Sequence, residues 1–212
     1  VEALKWYGEN ALAKPLYTGI WEAVKPGVGK MLKTDFSKKG ILTVYRRPVR
    51  GHRYAMGCDV AKGTGKDFSA FYVVDLSNMM LVADFHGKLD YDQYAEQIHY
   101  TGKFYLNARV AVETQGGYGD AVIIPLRDGR DGRPPYEMLY RHRQESSIDK
   151  KMHKPYGFPM NTKTRPLSIS QAEQAIRDKD LPWLTKSLLS ECRTFTHQST
   201  NPSPRASDGS ND

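Results

Sequence analysis

The order of apolar runs between Tyr54 and Glu113 constrains the fold more than any other feature. The runs YAMGCDV, FSAFYVVDL and MMLVADFHG follow one another with short turns between them, which predicts three adjacent antiparallel strands. A helical spacing of apolar residues begins after Asp90, and the buried-strand run ARVAVET follows it. Three strands, a crossing helix and a fourth strand together predict one α/β core.

The rest of the chain divides around this core. Residues 1–50 alternate apolar and basic residues with Gly and Pro, which is typical of a linker or arm. The run QGGYGDAVIIPLRD predicts a turn into a helix, and the runs KTRPLSISQAEQAIRDKDL and PWLTKSLLSECRTF predict two more helices. We therefore expect a linker over 1–50 and a single domain over 51–212.

Composition narrows the class of protein. Hydrophobic residues at 39% and aromatic residues at 11% exclude a disordered chain. The net charge of +7 favours polyanionic partners, although many basic proteins bind no nucleic acid. The two cysteines lie far apart, which suggests neither a zinc site nor a disulfide framework. No apolar run approaches the roughly 20 residues of a membrane span, so we expect a soluble protein of a reducing cytoplasm.

Two carboxylates stand at the ends of apolar strand runs, Asp59 after YAMGC and Glu113 after RVAV. A carboxylate at the edge of a buried strand is costly unless it is ion-paired, caps a turn or binds metal. A structural explanation exists for each: Asp59 could cap the turn that contains Gly63 and Gly65, and Glu113 could pair with a Lys or Arg. The pattern alone leaves both explanations open.

The functional explanation needs a third carboxylate from a later segment, for which Asp208 and Asp212 are the candidates. Three such groups could hold two divalent ions roughly 4 Å apart, the arrangement that activates water in phosphodiester hydrolysis.

The glycine-rich turn AKGTGKD offers a competing motif, a phosphate-binding loop. Such a loop needs Gly, four residues, then Gly-Lys-Ser/Thr, but Val60 occupies the first Gly position and Asp67 replaces the hydroxyl residue. An actin-like or sugar-kinase ATPase could still use an Asp-Gly turn after its first strand, and this alternative stays open.

Four segments in the same order resemble the nuclease domain of large terminase subunits, the DNA-packaging motor proteins of tailed bacterial viruses. They are GCDVAKGTGKDFSAFYVVD, VAVETQGGYGDAVI, TKTRPLSISQAEQAI with LLSECRTF, and PSPRASDGSND, and the similarity extends from about Tyr54 to Asp212. The resemblance implies an α/β, ribonuclease H-like mixed sheet, with three antiparallel strands plus parallel strands flanked by helices.

The same resemblance implies a site and an activity. Asp59, Glu113 and Asp212 would be the catalytic metal ligands for two Mg²⁺ or Mn²⁺ ions in an endonuclease that cuts concatemeric double-stranded DNA. The family has a further Asp and a helix after the position of Asp212, so we expect the domain to be truncated at its C-terminus. The residues predicted to bind DNA phosphates are Lys62, Lys66, Lys163 and Arg165.

The resemblance also implies partners. Residues 1–50 would connect to an ATPase domain of the full protein, which would work with the portal and the small terminase subunit in the host bacterial cytoplasm.

Two other functions stay open. A recombination nuclease, such as a junction resolvase or integrase, would share the fold and the carboxylates, and a non-catalytic DNA-binding arm of a motor would bind DNA without cutting it.

Overall fold

A computed structural model of the chain describes residues 2–38, 40–61, 68–145, 152–198 and 201–206, with only the backbone of 144–145, 195–198 and 201–206. Within this part of the chain, no helix is long and apolar enough to cross a membrane. The predicted site residues Lys62, Lys66 and Asp212 lie outside the described residues, as do Asp67 and Asp208.

Seven strands form one mixed sheet. In chain order they are β1 (Tyr17–Lys25), β2 (Val28–Lys33), β3 (Ile41–Val44), β4 (Tyr54–Asp59), β5 (Ser69–Asp75), β6 (Met80–Gly87) and β7 (Arg109–Val112). Their order across the sheet is β2-β1-β3-β6-β5-β4-β7, and only β4 and β7 are parallel neighbours. The predicted sequence of three antiparallel strands, a crossing helix and a parallel strand is therefore what β4 to β7 form.

Helices cover both faces of the sheet. They are α1 (Glu2–Asn10), α2 (Tyr91–Phe104), α3 (Tyr118–Asp128), α4 (Thr164–Arg177) and α5 (Lys186–Thr194). Apolar residues of α2 and α3 pack on one face in the main core, and α1 and α5 contribute to a smaller cluster on the other. The described part of the chain thus forms three layers, helices on either side of a sheet.

The alternation along β5 shows how one strand serves both faces. Phe71 and Val73 are fully buried in the main core with α2, whereas Tyr72 and Val74 pack against the smaller cluster. Successive side chains of a strand point to opposite faces, so a short apolar run without polar interruptions fits a strand covered on both sides.

Residues 2–50 are not the irregular arm that the sequence predicts. They form α1 and the strands β1, β2 and β3, which continue the sheet beyond β6, and Tyr7, Leu42 and Val44 are fully buried. The glycines and lysines of this segment concealed a hairpin, because its strands bury few side chains. No boundary near residue 50 divides the sheet, and a link from this segment to an ATPase domain stays a prediction.

Side-chain hydrogen bonds fix the β1–β2 hairpin to α2. The backbone N–H of Trp21 donates to Gln97 Oε1 at 3.0 Å, and Gln97 Nε2 donates back to the Trp21 carbonyl at 2.8 Å. Trp21 Nε1 also donates to Thr101 Oγ1 at 3.0 Å. A buried polar group needs such partners, and here they hold the N-terminal hairpin and the central helix in one unit.

The two helices predicted in the C-terminal part of the chain are α4 and α5. Two short hairpins, β8 (Gln144–Glu145) with β9 (Met152–His153) and β10 (Phe195–Gln198) with β11 (Asn201–Ala206), stand apart from the main sheet. The run YEMLYRH makes isolated bridges from Leu139 to Val110 and from Arg141 to Tyr156 and Gly157.

Candidate metal centre

Two predicted site residues, Asp59 and Glu113, lie side by side at one edge of the sheet. Asp59 is the last residue of β4, and Glu113 directly follows β7. These strands are parallel, with Cys58 opposite Val112, and the Glu113 N–H donates to the Cys58 carbonyl at 2.8 Å. The carboxyl ends of neighbouring parallel strands meet at one edge, so the backbone itself brings the two half-buried carboxylates together.

Glu113 is the most informative ionisable group of this pair. Its burial raises its pKa, the charge of Asp59 raises the pKa further, and Arg165 lowers it, with a net value of about 7. A second negative charge beside Asp59 is therefore disfavoured in the metal-free protein. A divalent cation would reverse this balance, because it favours ionisation of every carboxylate around it.

The backbone around Glu113 is tightly supported. The N–H of Thr114 donates to the Phe158 carbonyl at 3.1 Å, and the N–H of Phe158 donates to the Val112 carbonyl at 2.8 Å. A Cβ at Gly119, in the first turn of α3, would lie 2.0 Å from the Glu113 carbonyl oxygen. Only glycine lets the start of α3 approach the end of β7 so closely, and this approach fixes the direction of the Glu113 side chain.

Asp59 and Glu113 point to the face of the sheet that carries α5. Cys58 and Val112 belong to the main core on the α2 side, and the next residue of a strand points the opposite way. Asp59 is paired with Ala70 of β5, two residues from Tyr72, which packs in the cluster that includes Leu189 of α5. The acidic site, defined as Asp59 and Glu113, therefore faces α5.

Glu191 of α5 is a third carboxylate on this face, and it was not among the residues predicted from the sequence. It accepts a hydrogen bond from the Tyr72 hydroxyl at 3.4 Å. Burial raises the pKa of Glu191, the Tyr72 hydrogen bond lowers it, and the charges of Asp84 and Asp59 raise it, with a net rise. The sequence could have indicated Glu191, because it lies three positions after Leu188 and therefore on the apolar face of an amphipathic helix.

The two predicted DNA-gripping residues that the structure describes differ in position. Arg165 is half-buried in the first turn of α4, and its charge acts on Glu113. Lys163 is exposed one residue before α4, where its backbone N–H donates to Asn161 Oδ1 at 2.9 Å. The structure therefore joins Arg165, but not Lys163, to the carboxylates electrostatically.

The chemistry of the site fits a cation with oxygen ligands. Two adjacent carboxylates, one of them with a raised pKa, provide the hard oxygen donors that Mg²⁺ and Mn²⁺ take. Among the described residues, no group of three His, Cys, Asp or Glu side chains could hold a metal ion. Asp59 and Glu113 could therefore provide two donors, and the predicted third ligand, Asp212, lies outside the described residues.

The chain resembles solved structures in its fold, although it matches no known family by sequence. No protein-family model matches the chain, and no curated protein matches it by sequence. The large terminase nuclease of thermophilic phage G20c is similar in structure, with a TM-score of 0.58, 16% identity, and 96% of this chain and 86% of that chain covered. The same nuclease with bound magnesium gives a TM-score of 0.59 at 17% identity, covering 96% and 85% of the two chains.

The large terminase nuclease domain of Thermus phage P74-26 gives a third match, with a TM-score of 0.52 and 18% identity over 81% of this chain and 78% of that chain. These likenesses confirm the predicted fold, a ribonuclease H-like mixed sheet flanked by helices, as it occurs in terminase nucleases.

Proposed function

We propose that the chain is the nuclease domain of a large terminase subunit, a metal-dependent endonuclease that cuts concatemeric double-stranded viral DNA during genome packaging. The observation that carries the proposal is the adjacent pair Asp59 and Glu113, in which the nearby charge of Asp59 contributes to a Glu113 pKa of about 7. The fold shared with the phage nucleases, one of which holds magnesium, supports it.

The proposed chemistry is hydrolysis of a phosphodiester bond with Mg²⁺ or Mn²⁺, in a two-metal site completed by Asp212. When bound, the cations would supply a polarised water and would offset the charge of the leaving oxygen. Asp59 and Glu113 hold the cations from the rigid ends of two paired strands, so the donors move little during the reaction.

Arg165 has two tasks in this proposal. Its charge favours the ionised form of Glu113, and its guanidinium is available to a DNA phosphate that approaches the same face. Lys163, Lys62 and Lys66 are proposed to bind phosphates without reading bases, which suits a nuclease of low sequence preference.

The cellular setting is proposed from the same likeness. The domain would work beside an ATPase domain, the portal and the small terminase subunit in the cytoplasm of the host bacterium. Double-stranded DNA is the proposed substrate, and the net charge of +7 agrees with a polyanionic partner.

Plasmid cleavage tests the proposal. The purified chain is incubated with supercoiled plasmid and Mn²⁺, Mg²⁺ or EDTA, alongside Asp59→Asn, Glu113→Gln and the matched control Glu137→Gln, an exposed glutamate before the Leu139 bridge. We expect metal-dependent cutting that the two site variants lose by at least roughly a hundredfold and the control keeps.

A longer protein that extends beyond Asp212 is tested in parallel, because the resemblance implies a further Asp and a helix after that position. If that protein is folded and cuts no DNA with either metal, the nuclease proposal is wrong. A marked preference for four-way junctions over linear duplex would instead favour a recombination nuclease.

A further inference from the structure

A large pocket opens on the same face of the sheet as the acidic site. It has a volume of about 820 Å³ and lies over β3, β6 and β5, next to the start of α5. Its lining includes Thr43, Tyr72, Asp84 and Ser187. We call this cavity the β3–β6 pocket.

Strand register relates the pocket to the acidic site. Asp59 is paired with Ala70, Ala70 with His86, and His86 with Ile41, so these four residues form one row on one face. His86 and Ile41 line the pocket. Two strand spacings separate Asp59 from His86, a distance of roughly 10 Å. A DNA strand that is cut at the acidic site therefore passes within reach of the pocket.

The charge of the lining suits phosphates. Three exposed lysines, Lys38, Lys88 and Lys186, stand against one carboxylate, Asp84, so these groups carry a net charge of +2. Asp84 is 6% exposed and accepts hydrogen bonds from the Tyr45 hydroxyl at 3.0 Å and Ser187 Oγ at 2.7 Å. The negative group is thus engaged within the protein, and the three lysines are exposed at the surface.

An aromatic pair lies at the same place. The rings of Phe68 and His86 are stacked with centroids 4.2 Å apart and an interplanar angle of 21°, and both residues are exposed. Lys88 Nζ lies 4.6 Å from the Phe68 ring centroid. Partial desolvation of the ring lowers the pKa of His86 and the charge of Asp84 raises it, with a net fall. Exposed aromatic rings among cations are the chemistry that proteins use to bind single-stranded nucleic acid.

We propose that the β3–β6 pocket binds an unpaired nucleotide of the DNA strand next to the cut, with its base against the Phe68–His86 pair and its phosphates on the lysines. The proposal rests on the nuclease function proposed above and adds a subsite to it. The base must be unpaired and unstacked, because a base within a duplex offers neither of its faces to a ring. A volume of about 820 Å³ also falls within the range of pockets that enclose a small ligand.

The test measures DNA binding without cutting. A fluorescently labelled oligo-dT and a labelled duplex of equal length are titrated with the purified chain in EDTA, and anisotropy gives the two affinities. The variants are Phe68→Leu and the double variant Lys88→Gln with Lys186→Gln. The matched control is Lys103→Gln, because Lys103 also stands over an aromatic ring, Tyr136 at 5.7 Å, but belongs to α2 on the opposite face.

We expect Phe68→Leu to weaken oligo-dT binding by about fivefold or more, the size of one stacking contact, and to leave duplex binding within about twofold. The double lysine variant should reduce the salt dependence of oligo-dT binding by about 0.7 for each phosphate that the protein no longer neutralises. Lys103→Gln should change neither. Equal losses for oligo-dT and duplex in Phe68→Leu, or no loss for oligo-dT, would overturn the proposal, provided that circular dichroism shows the variants folded.

The pocket and the nuclease function can fail separately in this design. Binding is measured in EDTA, so it does not depend on metal or cleavage. If the chain binds oligo-dT through Phe68 but never cuts plasmid, the nuclease function is wrong and the single-strand site stands. If it cuts plasmid and Phe68→Leu binds oligo-dT normally, the pocket proposal is wrong.

Discussion

The strand pair β4–β5 carries a carboxylate near each end, and the two ends are held differently. At one end Asp75 is 3% exposed, and its Oδ2 lies 2.7 Å from His52 Nδ1. At the other end Asp59 lies beside Glu113. Burial would raise the pKa of Asp75, but hydrogen bonds from His52 and from the N–H of Ser77 lower it below its ordinary value.

The pKa of Glu113 moves the other way, to about 7, because it is buried and the charge beside it is negative. Burial at a strand end therefore does not by itself identify a functional carboxylate. The sign of the neighbouring charge distinguishes the two ends, since Asp75 has partners that complete a structural contact, whereas an added cation would favour the ionised form of both Asp59 and Glu113.

The largest effect is expected for Gly119→Ala, which disturbs the close contact between the start of α3 and the backbone of Glu113. The new Cβ would lie 2.0 Å from the Glu113 carbonyl oxygen, so α3 or the end of β7 must shift. We expect a loss of about 3 kcal/mol in the free energy of unfolding and loss of plasmid cleavage. Urea denaturation and the cleavage assay measure the two effects.

Gly57→Ala is the matched control for this change. Gly57 lies in β4, and a Cβ there has no atom within 4 Å. The control should fold normally. Normal stability and cleavage in Gly119→Ala would show that the close approach of α3 does not position Glu113.

Glu113→Gln should stabilise the metal-free protein, which sharpens the contrast between the two ends. The folded-state pKa of about 7 exceeds the unfolded value of roughly 4.3, so ionisation of Glu113 opposes folding. The variant should gain about 2 kcal/mol at pH 8 in EDTA, and the gain should shrink as the pH falls through 7 and vanish below about 4.

Thermal unfolding in EDTA across this pH range checks the prediction, and added Mn²⁺ should stabilise the unaltered chain more than the variant. If Glu113→Gln is less stable than the unaltered chain at pH 8, Glu113 is a structural carboxylate like Asp75.

Asp75→Asn should have the opposite sign. Because the folded-state pKa of Asp75 is lowered, its ionised form contributes stability that is present above the unfolded pKa of roughly 3.9 and is lost as the pH falls through the folded value. We expect a loss of about 1–2 kcal/mol at pH 7 that disappears in strong acid, with cleavage unchanged.

Asp128→Asn is a control for Asp75→Asn, because Asp128 pairs with Arg127 in solvent and such pairs contribute little. Denaturation at pH 7 and pH 3 distinguishes the two variants. Loss of cleavage in a stable Asp75→Asn protein would contradict the comparison, because it would show that Asp75 also takes part in cleavage.

The smallest effect is expected for Arg165→Gln. Its charge lowers the pKa of Glu113, so its removal should raise that pKa and make Mn²⁺ affinity fall about two- to fivefold more between pH 9 and pH 7 than it does in the unaltered chain. Calorimetric titration at both pH values checks this. Unchanged Mn²⁺ binding together with weaker DNA binding would leave Arg165 only its phosphate contact.

The sequence predicted the central part of the fold because each element there is a local pattern. The alternation in β5 and the apolar stripe of α2 can be recognised from neighbouring residues. The parallel pairing of β7 with β4 follows because a crossing helix, α2, precedes β7. The strands β1 and β2 were missed because they bury little, and their stability comes from distant partners such as Gln97. No local pattern contains that information.

The site shows the same division. Asp59 and Glu113 were predicted because each ends an apolar run, but the proximity of Glu191 depends on how α5 lies across β5. Asp84 was hidden within the run MMLVADFHG, where it is buried with hydroxyl partners from residues 45 and 187. Sequence reasoning finds donors at strand ends and misses those that only packing brings together.

The most direct test of the proposed metal site is anomalous diffraction from crystals of the chain soaked in Mn²⁺ at pH 8. We predict a manganese peak between the carboxylates of Asp59 and Glu113, within roughly 2.0–2.6 Å of an oxygen of each, that is absent in Glu113→Gln crystals. No peak at this position, or a peak that Glu113→Gln leaves unchanged, would contradict the proposed site.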